Sequence, residues 1–417
     1  MMVKTSGIEE NKKDLLPEYL KSRLIMFFTV DIVGSTAYKQ KHISSPHVGD
    51  ISSSTEINRK SKLHPKWHSP LAEFYNDTPS IFSEQWESIK KEQESIGDAP
   101  SFWKAIGDEV GFTKRLTKAD EVIAGLLAWR NTLFELKNRI QKHSPDLDVK
   151  SAVWLAGFPI TNTEVVFLSK NQLIPNLRTF ENSDDDFVYS SLARLKLYYQ
   201  QKNKSSSDGE SFAWAQDFVG PSIDTGFRIS TKATPRKLVL SIELVYLLAD
   251  YCCIKPKTTT NKSPKHNSLE AFAKQLISAL CFDGRESFKG VMGGVPYPIF
   301  WIDQDQIDPE SSEFNRYEQS LQNNKSLSQD EVKGYCNSFI EKFSRYINKP
   351  YILNESELVY GEVPEVHEQR LQQLKEVLQW FDEQTAQNEI EETAISNPDS
   401  AGYGADEIDK DKPLVLK

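Results

Sequence analysis

The first strong pattern along the chain is an apolar run that stops at an acid. Residues 24–33 read Leu-Ile-Met-Phe-Phe-Thr-Val-Asp-Ile-Val, so apolar or β-favouring residues lead directly into Asp31. This is typical of a strand that is buried on both faces and ends in a polar turn. A second apolar pattern over residues 102–112 predicts a hairpin, with Gly107 and Asp108 at its tip.

The spacing of apolar residues then predicts a helix and a further strand. Residues 117–142 carry apolar side chains at helical spacing, and residues 147–160 alternate before turning apolar, as a strand beside the hairpin would. The order strand, helix, hairpin, helix, strand is the ferredoxin-like arrangement. A helix over 222–233, a strand over 237–244, a helix over 245–253 and a closing strand pair between 288 and 302 follow.

Polar stretches divide the chain into parts. We predict an N-terminal lead over residues 1–21 and an α/β (α+β) domain over 22–303, with insertions at about 42–97 and 161–212. The first insertion should carry helical turns such as 79–94. Helical apolar spacing over 328–347 and 367–382 predicts a helical extension at 304–384. Residues 385–417 are polar and acidic, and we expect them to be disordered.

Charge and hydropathy limit the partners. The net charge is −10 and no long basic run occurs, so a nucleic-acid partner is not expected. No segment approaches the roughly 20 apolar residues of a membrane span, and the N-terminus leads into polar sequence. We therefore expect a cytoplasmic protein that binds neither membrane nor nucleic acid.

Two acids at predicted strand ends suggest phosphoryl-transfer chemistry. Either Asp31 or Asp108 alone would be interpreted as a turn residue, but carboxylates on adjacent strand ends can form a two-metal site. Gly34, Ser35 and Thr36 precede a helix-compatible run, and free backbone N–H groups at a helix start could hold phosphate oxygens.

These two segments resemble class III nucleotidyl cyclases, and a third segment strengthens the resemblance. Asp217, Asp224 and Arg228 fall without a gap on the family's base-contacting Asp, ribose-orienting Asn and phosphate-binding Arg. Lys104 falls on the family's base-contacting Lys. Asp224 departs from the usual Asn, which leaves its role open. The resemblance covers about residues 22–303.

The resemblance implies a cyclase with two divalent cations, Mn²⁺ or Mg²⁺, in each active site. The implied metal ligands are Asp31, Asp108 and the backbone carbonyl of Ile32. The residues assigned to catalysis are Arg228 and Asp224. The residues assigned to substrate binding are Phe28, Gly34, Ser35, Thr36, Lys104 and Asp217. In this family the metal acids and the base and arginine set come from opposite subunits, which implies a homodimer with composite sites.

The substrate base is not decided by hydrogen bonding, because Lys104 and Asp217 can satisfy adenine, uracil or cytosine. Bulky neighbours such as Trp103 or Phe218 could exclude purines. The chain most resembles the pyrimidine cyclases of Pycsar antiphage systems, which implies conversion of UTP to 3′,5′-cyclic UMP and diphosphate, a messenger that activates a separate effector protein. The alternatives are a cytidylate cyclase that uses CTP and an adenylate cyclase. A domain that binds nucleotide without turnover, or an interaction function in residues 304–384, would be of another class.

Overall fold

The computed structural model describes residues 17–43, 65–93, 96–168, 186–203, 214–253, 266–307, 327–354 and 357–376, with residues 379 and 383. The predicted acidic tail, most of the N-terminal lead, and residues 44–64, 169–185 and 204–213 of the predicted insertions lie outside these ranges. Two compact units are present, Met1–His367 and Glu368–Lys417.

A seven-stranded sheet forms the centre of the first unit. Its strands are β1 (Arg23–Val33), β2 (Ser101–Ile106), β3 (Glu109–Leu116), β4 (Asp148–Phe158), β7 (Lys237–Leu240), β8 (Leu280–Glu286) and β9 (Tyr297–Asp303). They lie in the order β2-β3-β1-β4-β7-β9-β8. Two separate ribbons consist of β5 (Thr163–Leu168) with β6 (Trp214–Val219), and β10 (Ile352–Asn354) with β11 (Glu357–Tyr360).

Helices alternate with these strands along the chain. Their bounds are α1 (Ser35–Lys41), α2 (His68–Glu92), α3 (Asp120–His143), α4 (Asp186–Asn203), α5 (Pro221–Ser230), α6 (Ile242–Cys253), α7 (His266–Ser278), α8 (Gln304–Ile307), α9 (Gln329–Lys342) and α10 (residues 365–376). No helix within the described ranges combines the length and the apolar composition that a membrane crossing needs.

The predicted mixed α/β fold is confirmed, including its ferredoxin-like half. β1 is antiparallel to both β3 and β4, and the order β4-β1-β3-β2 is that of the ferredoxin-like unit. Two placements were wrong. β4 lies beside β1 and not beside the hairpin, because β1 is apolar on both faces and takes an interior position. The closing pair consists of β8 and β9, and β8 ends before residue 288, where the first strand of the pair was predicted to begin. The residues after β8 form the connection instead, because Gly290, Gly293 and Gly294 have positive φ angles.

Part of the predicted first insertion belongs to the core. α2 runs through it, and its Phe74, Phe82 and Trp86 are buried. The Phe82 ring lies 4.6 Å from the ring of Trp129 in α3. α2 is therefore the first crossover helix of the ferredoxin-like unit and not part of an insertion. The C-terminal extension also differs from the prediction, because it contains the β10–β11 ribbon between α9 and α10.

Successive residues of β1 face two different aromatic clusters. Phe28 contacts Phe82 and Trp129 on the α2–α3 side. Phe27 contacts Trp154 and Phe218 on the other side. Because side chains alternate along a strand, Asp31 shares the face of Phe27.

Candidate active site

An open cleft of about 550 Å³ lies at the end of β1. β1 continues for two residues past Asp31 and ends at Val33, so the acid sits within the strand and not at its last residue. The lining brings together many of the predicted site residues, namely Asp31, Ile32, Gly34, Ser35, Thr36 and Asp108. Acids that are distant in sequence thus share one cavity, as the metal hypothesis requires.

Gly34 makes the turn that leads from β1 into α1. Its φ angle is +83°, a left-handed conformation that favours glycine, and an added Cβ would lie 2.6 Å from the backbone oxygen of Asp146. The first hydrogen bond of α1 runs from the Tyr38 N–H to the Gly34 oxygen, 2.9 Å away. The N–H groups of the first turn, those of Ser35, Thr36 and Ala37, precede this bond.

Asp108 is held in place from two sides. The Ile32 N–H donates to the Asp108 backbone oxygen at 3.4 Å, which attaches the hairpin tip to β1. The Ser35 hydroxyl donates to the Asp108 carboxylate. Lys39 Nζ lies 3.9 Å from the same carboxylate. The side chain of Asp108 is therefore oriented by residues that themselves follow β1.

Burial and neighbouring carboxylates raise the pKa values of Asp31 and Glu109, in and beside the cleft. Burial raises the pKa of Asp31, and the negative charge of Asp108 raises it further, whereas Lys150 lowers it. Lys150 Nζ lies 2.9 Å from Asp31 Oδ2. A third acid, Glu109, accepts a hydrogen bond from Thr29, and burial followed by the charge of Asp31 raises its pKa. Positive charge placed between these acids would be stabilised.

Lys150 and Glu109 are site residues that the sequence analysis missed. Both are cross-strand partners of Asp31, Glu109 on β3 and Lys150 on β4, so the three form one row across the sheet. Glu109 follows Asp108 directly and could have been noticed. Nothing in the sequence pairs Lys150 with Asp31, because that pairing depends on the register of β4.

The residues present fit a hard divalent cation. Carboxylate oxygens of Asp31 and Asp108 and the carbonyl of Ile32 are the oxygen ligands that Mg²⁺ and Mn²⁺ prefer. Within the described part of the chain, no group of three or more His, Cys, Asp or Glu side chains is placed to hold a metal ion. A cation here would therefore also need oxygen atoms from water or substrate, which is usual for Mg²⁺.

The predicted base-contacting pair meets elsewhere. Lys104 Nζ lies 2.8 Å from Asp217 Oδ1 and 3.0 Å from Oδ2. The lysine also lies over the Trp103 ring, 4.1 Å from its centroid. Neither Lys104 nor Asp217 lines the cleft of the metal acids. The structure thus brings the pair together, but apart from Asp31 and Asp108.

α5 presents Asp224 and Arg228 one turn apart on its exposed face. Gly226 lies on the opposite, buried side, where an added Cβ would be 2.3 Å from the Trp154 ring. In the described structure neither Asp224 nor Arg228 makes a side-chain hydrogen bond or ion pair, and neither lines the cleft. Both are therefore available to a further molecule.

The assignment of Phe28 to substrate binding was wrong. Its side chain is fully buried at 0% exposure, and its ring packs against Phe82 and Trp129. Because side chains alternate along β1, Phe28 points towards α2 and α3, on the face of the sheet opposite to Asp31. It is a core residue.

Comparison with known proteins gives similarity in fold only. No protein-family model and no curated protein matches the sequence. Among solved structures, the adenylyl cyclase CyaB from P. aeruginosa is 11% identical with a TM-score of 0.36, over 68% of this chain and 94% of that one. The guanylate cyclase domain of RhGC from Catenaria anguillulae in complex with GTP is 11% identical with a TM-score of 0.31, over 68% and 97%.

A bacterial light-regulated adenylyl cyclase is 8% identical with a TM-score of 0.34, over 76% of this chain and 58% of that one. Identities and TM-scores this low assign neither a family nor an activity. The chain has a mixed α/β fold and is similar to solved adenylyl and guanylyl cyclases.

Proposed function

We propose that the chain is a class III nucleotidyl cyclase that converts UTP to 3′,5′-cyclic UMP and diphosphate. The cleft at the end of β1 carries this proposal, because Asp31 and Asp108 line it together with the first turn of α1. Carboxylates beside free N–H groups suit a triphosphate that is bound with divalent cations. The match of three motifs to the family's order adds support.

The residues of the cleft have distinct tasks in this proposal. Asp31, Asp108 and the Ile32 carbonyl would hold two Mn²⁺ or Mg²⁺ ions, which lower the pKa of the attacking 3′-hydroxyl and neutralise the leaving diphosphate. Ser35 orients the Asp108 carboxylate through its hydroxyl. The N–H groups of Ser35, Thr36 and Ala37 bind phosphate oxygens, and Lys150 adds positive charge near them.

A second copy of the chain would complete the site. Arg228 and Asp224 are exposed and do not line the cleft of their own chain, so a partner's α5 would supply them. A guanidinium can accept the charge that develops on the α-phosphoryl group. Phe102 and Ile106 on the edge strand β2 are 53% and 51% exposed, which suits burial against a partner. We therefore propose a homodimer with composite sites.

The base and the biological role rest on the resemblance to Pycsar pyrimidine cyclases. Cyclic UMP would be a messenger in antiphage defence and would act on a separate effector protein. CTP and ATP are the alternative substrates, and the same experiment distinguishes them.

The experiment incubates the purified chain separately with UTP, CTP, ATP and GTP in the presence of Mn²⁺ and identifies cyclic products by mass spectrometry. We expect cyclic UMP, and we expect Asp31→Asn with Asp108→Asn to lower its formation about a thousandfold or more. Asp98→Asn changes a fully exposed carboxylate and should have no effect. If cyclic CMP or cyclic AMP is the main product, the substrate is CTP or ATP and the assignment of uracil as the base is wrong. Undiminished turnover without the two acids would refute the proposed site.

A further inference from the structure

Donors from three residues converge on the carboxylate of Asp217. Lys104 Nζ contacts both oxygens, at 2.8 and 3.0 Å. Trp103 Nε1 donates to Oδ1 at 3.0 Å, and the Phe218 N–H donates to the same oxygen at 2.9 Å. Oδ1 therefore receives three donors, whereas Oδ2 receives only Lys104. A carboxylate oxygen offers about two lone pairs, so Oδ1 is saturated and Oδ2 is not.

A β-bulge brings Trp103 and Lys104 to the same carboxylate. Consecutive residues of a regular strand point to opposite faces. The pairing of β2 with β3 shifts between Phe102 and Lys104, so Trp103 is the extra residue of the bulge. Gly111 is the partner of Lys104, and an added Cβ there would lie 3.2 Å from the Trp103 ring. The bulge and this glycine together make room for the indole.

The indole of Trp103 is fixed by aromatic neighbours. Its ring centroid lies 5.1 Å from that of Phe27, 5.6 Å from that of Phe218 and 5.9 Å from that of Phe227. Side chains held on several sides cannot rotate away from a hydrogen bond without loss of packing. The indole N–H thus stays directed at Asp217, while the carboxylate itself remains one-third exposed.

We propose that Trp103 is a specificity-determining residue that excludes guanine. The inference depends on the proposed function, in which Lys104 and Asp217 contact the base. With Oδ1 saturated, the pair offers the base one acceptor, Oδ2, beside the donor Lys104. Uracil, cytosine and adenine each present one donor position next to an acceptor. Guanine presents N1–H and the 2-amino group side by side, and one of these donors is left without an acceptor.

The test removes the indole N–H and keeps an aromatic ring. When Lys104 donates to the base, Oδ1 keeps the Trp103 and Phe218 donors, and Trp103→Phe then leaves one acceptor position on Oδ1 free. We therefore expect the ratio of kcat/KM for GTP to that for UTP to rise about fivefold, the usual effect of one hydrogen bond. The dissociation constants of GTP and UTP should change in the same ratio. Trp103→His retains a ring N–H donor and should restore a ratio close to that of the unmodified chain.

The chain offers a matched control. Trp301 Nε1 donates to Asp283 Oδ1 at 2.8 Å, Lys237 Nζ lies 2.5 Å from the same carboxylate, and the lysine is 4.4 Å from the Trp301 ring centroid. Trp301→Phe removes the same type of hydrogen bond away from the proposed base site. It should leave the ratio of GTP to UTP unchanged.

The outcomes distinguish the two proposals. If the unmodified chain makes no cyclic product, the proposed function fails, and the binding ratios alone decide the role of Trp103. If cyclic product forms but Trp103→Phe leaves the kinetic and binding ratios unchanged, the inference about Trp103 is overturned and the cyclase proposal stands. Should Trp103→Phe fail to fold, Trp103→Leu, which also lacks an N–H, must show the same rise.

Discussion

Two inactive variants should restore activity to one another if each active site is shared between two chains. Asp31→Asn damages the half of the site that holds the metal acids, and Arg228→Ala damages the half on α5. In a heterodimer of these variants, one site carries both changes and the other carries neither. We expect restoration under the proposed homodimer, because the cleft that contains Asp31 is not lined by Arg228 of the same chain.

The expected size of the recovery can be calculated. Each variant alone should lose about a thousandfold in turnover, the scale of removing an arginine from a phosphoryl-transfer site. When equal amounts are mixed and exchange freely, about half of the dimers are heterodimers, and each has one intact site of its two. Activity should therefore return to about a quarter of the unmodified level.

The assay measures cyclic product before and after mixing, with subunit exchange followed by mass spectrometry of differently tagged chains. The control mixes Asp31→Asn with Asp108→Asn. Both changes lie in the same half of the site, so their heterodimers contain no intact site and should stay inactive. The shared-site hypothesis is refuted if heterodimers form without recovery, or if the control mixture recovers equally.

Two further predictions concern stability. Gly226→Ala should lower the free energy of unfolding by about 1–3 kcal/mol, because its Cβ would lie 2.3 Å from the Trp154 ring. Urea denaturation measures this, with Gly157→Ala, whose Cβ meets nothing within 4 Å, as the unaffected control. Burial lowers the pKa of His367 in the folded chain below its usual value of 6.5. As the pH falls below 6.5, the unfolded chain therefore binds a proton at His367 before the folded chain does, and the free energy of unfolding decreases. His367→Gln should therefore lose less thermal stability between pH 7.5 and 5.5 than the unmodified chain, and equal losses would contradict this.

Local pattern was sufficient for much of the fold and for part of the site. The continuous apolar run over residues 24–33 and the helical period around 117–142 identified β1 and α3, because each reflects burial of one element against the core. The acids Asp31 and Asp108 were found for the same reason, since both stand where an apolar run stops. Their meeting in one cleft was an expectation that the structure supports.

The hydrophobic pattern of a segment gave a wrong prediction where its burial depends on another element that packs against it. α2 was interpreted as part of an insertion, because its polar flanks hid an apolar face that only α3 reveals. Phe28 was assigned to substrate from the resemblance, and the sequence could not correct this, because a strand that is apolar on both faces does not indicate which face a given side chain occupies. The helices packed against it settle that question.

The sequence by itself determined β1, the hairpin, α3 and β4 in their order and picked out the acids Asp31 and Asp108, because hydrophobic periodicity is a local property of the chain. Only the tertiary structure decided that Lys150 stands beside Asp31 and that Trp103 reaches Asp217. Both contacts depend on strand register and on a bulge, and register is set by pairing between segments that are distant in sequence.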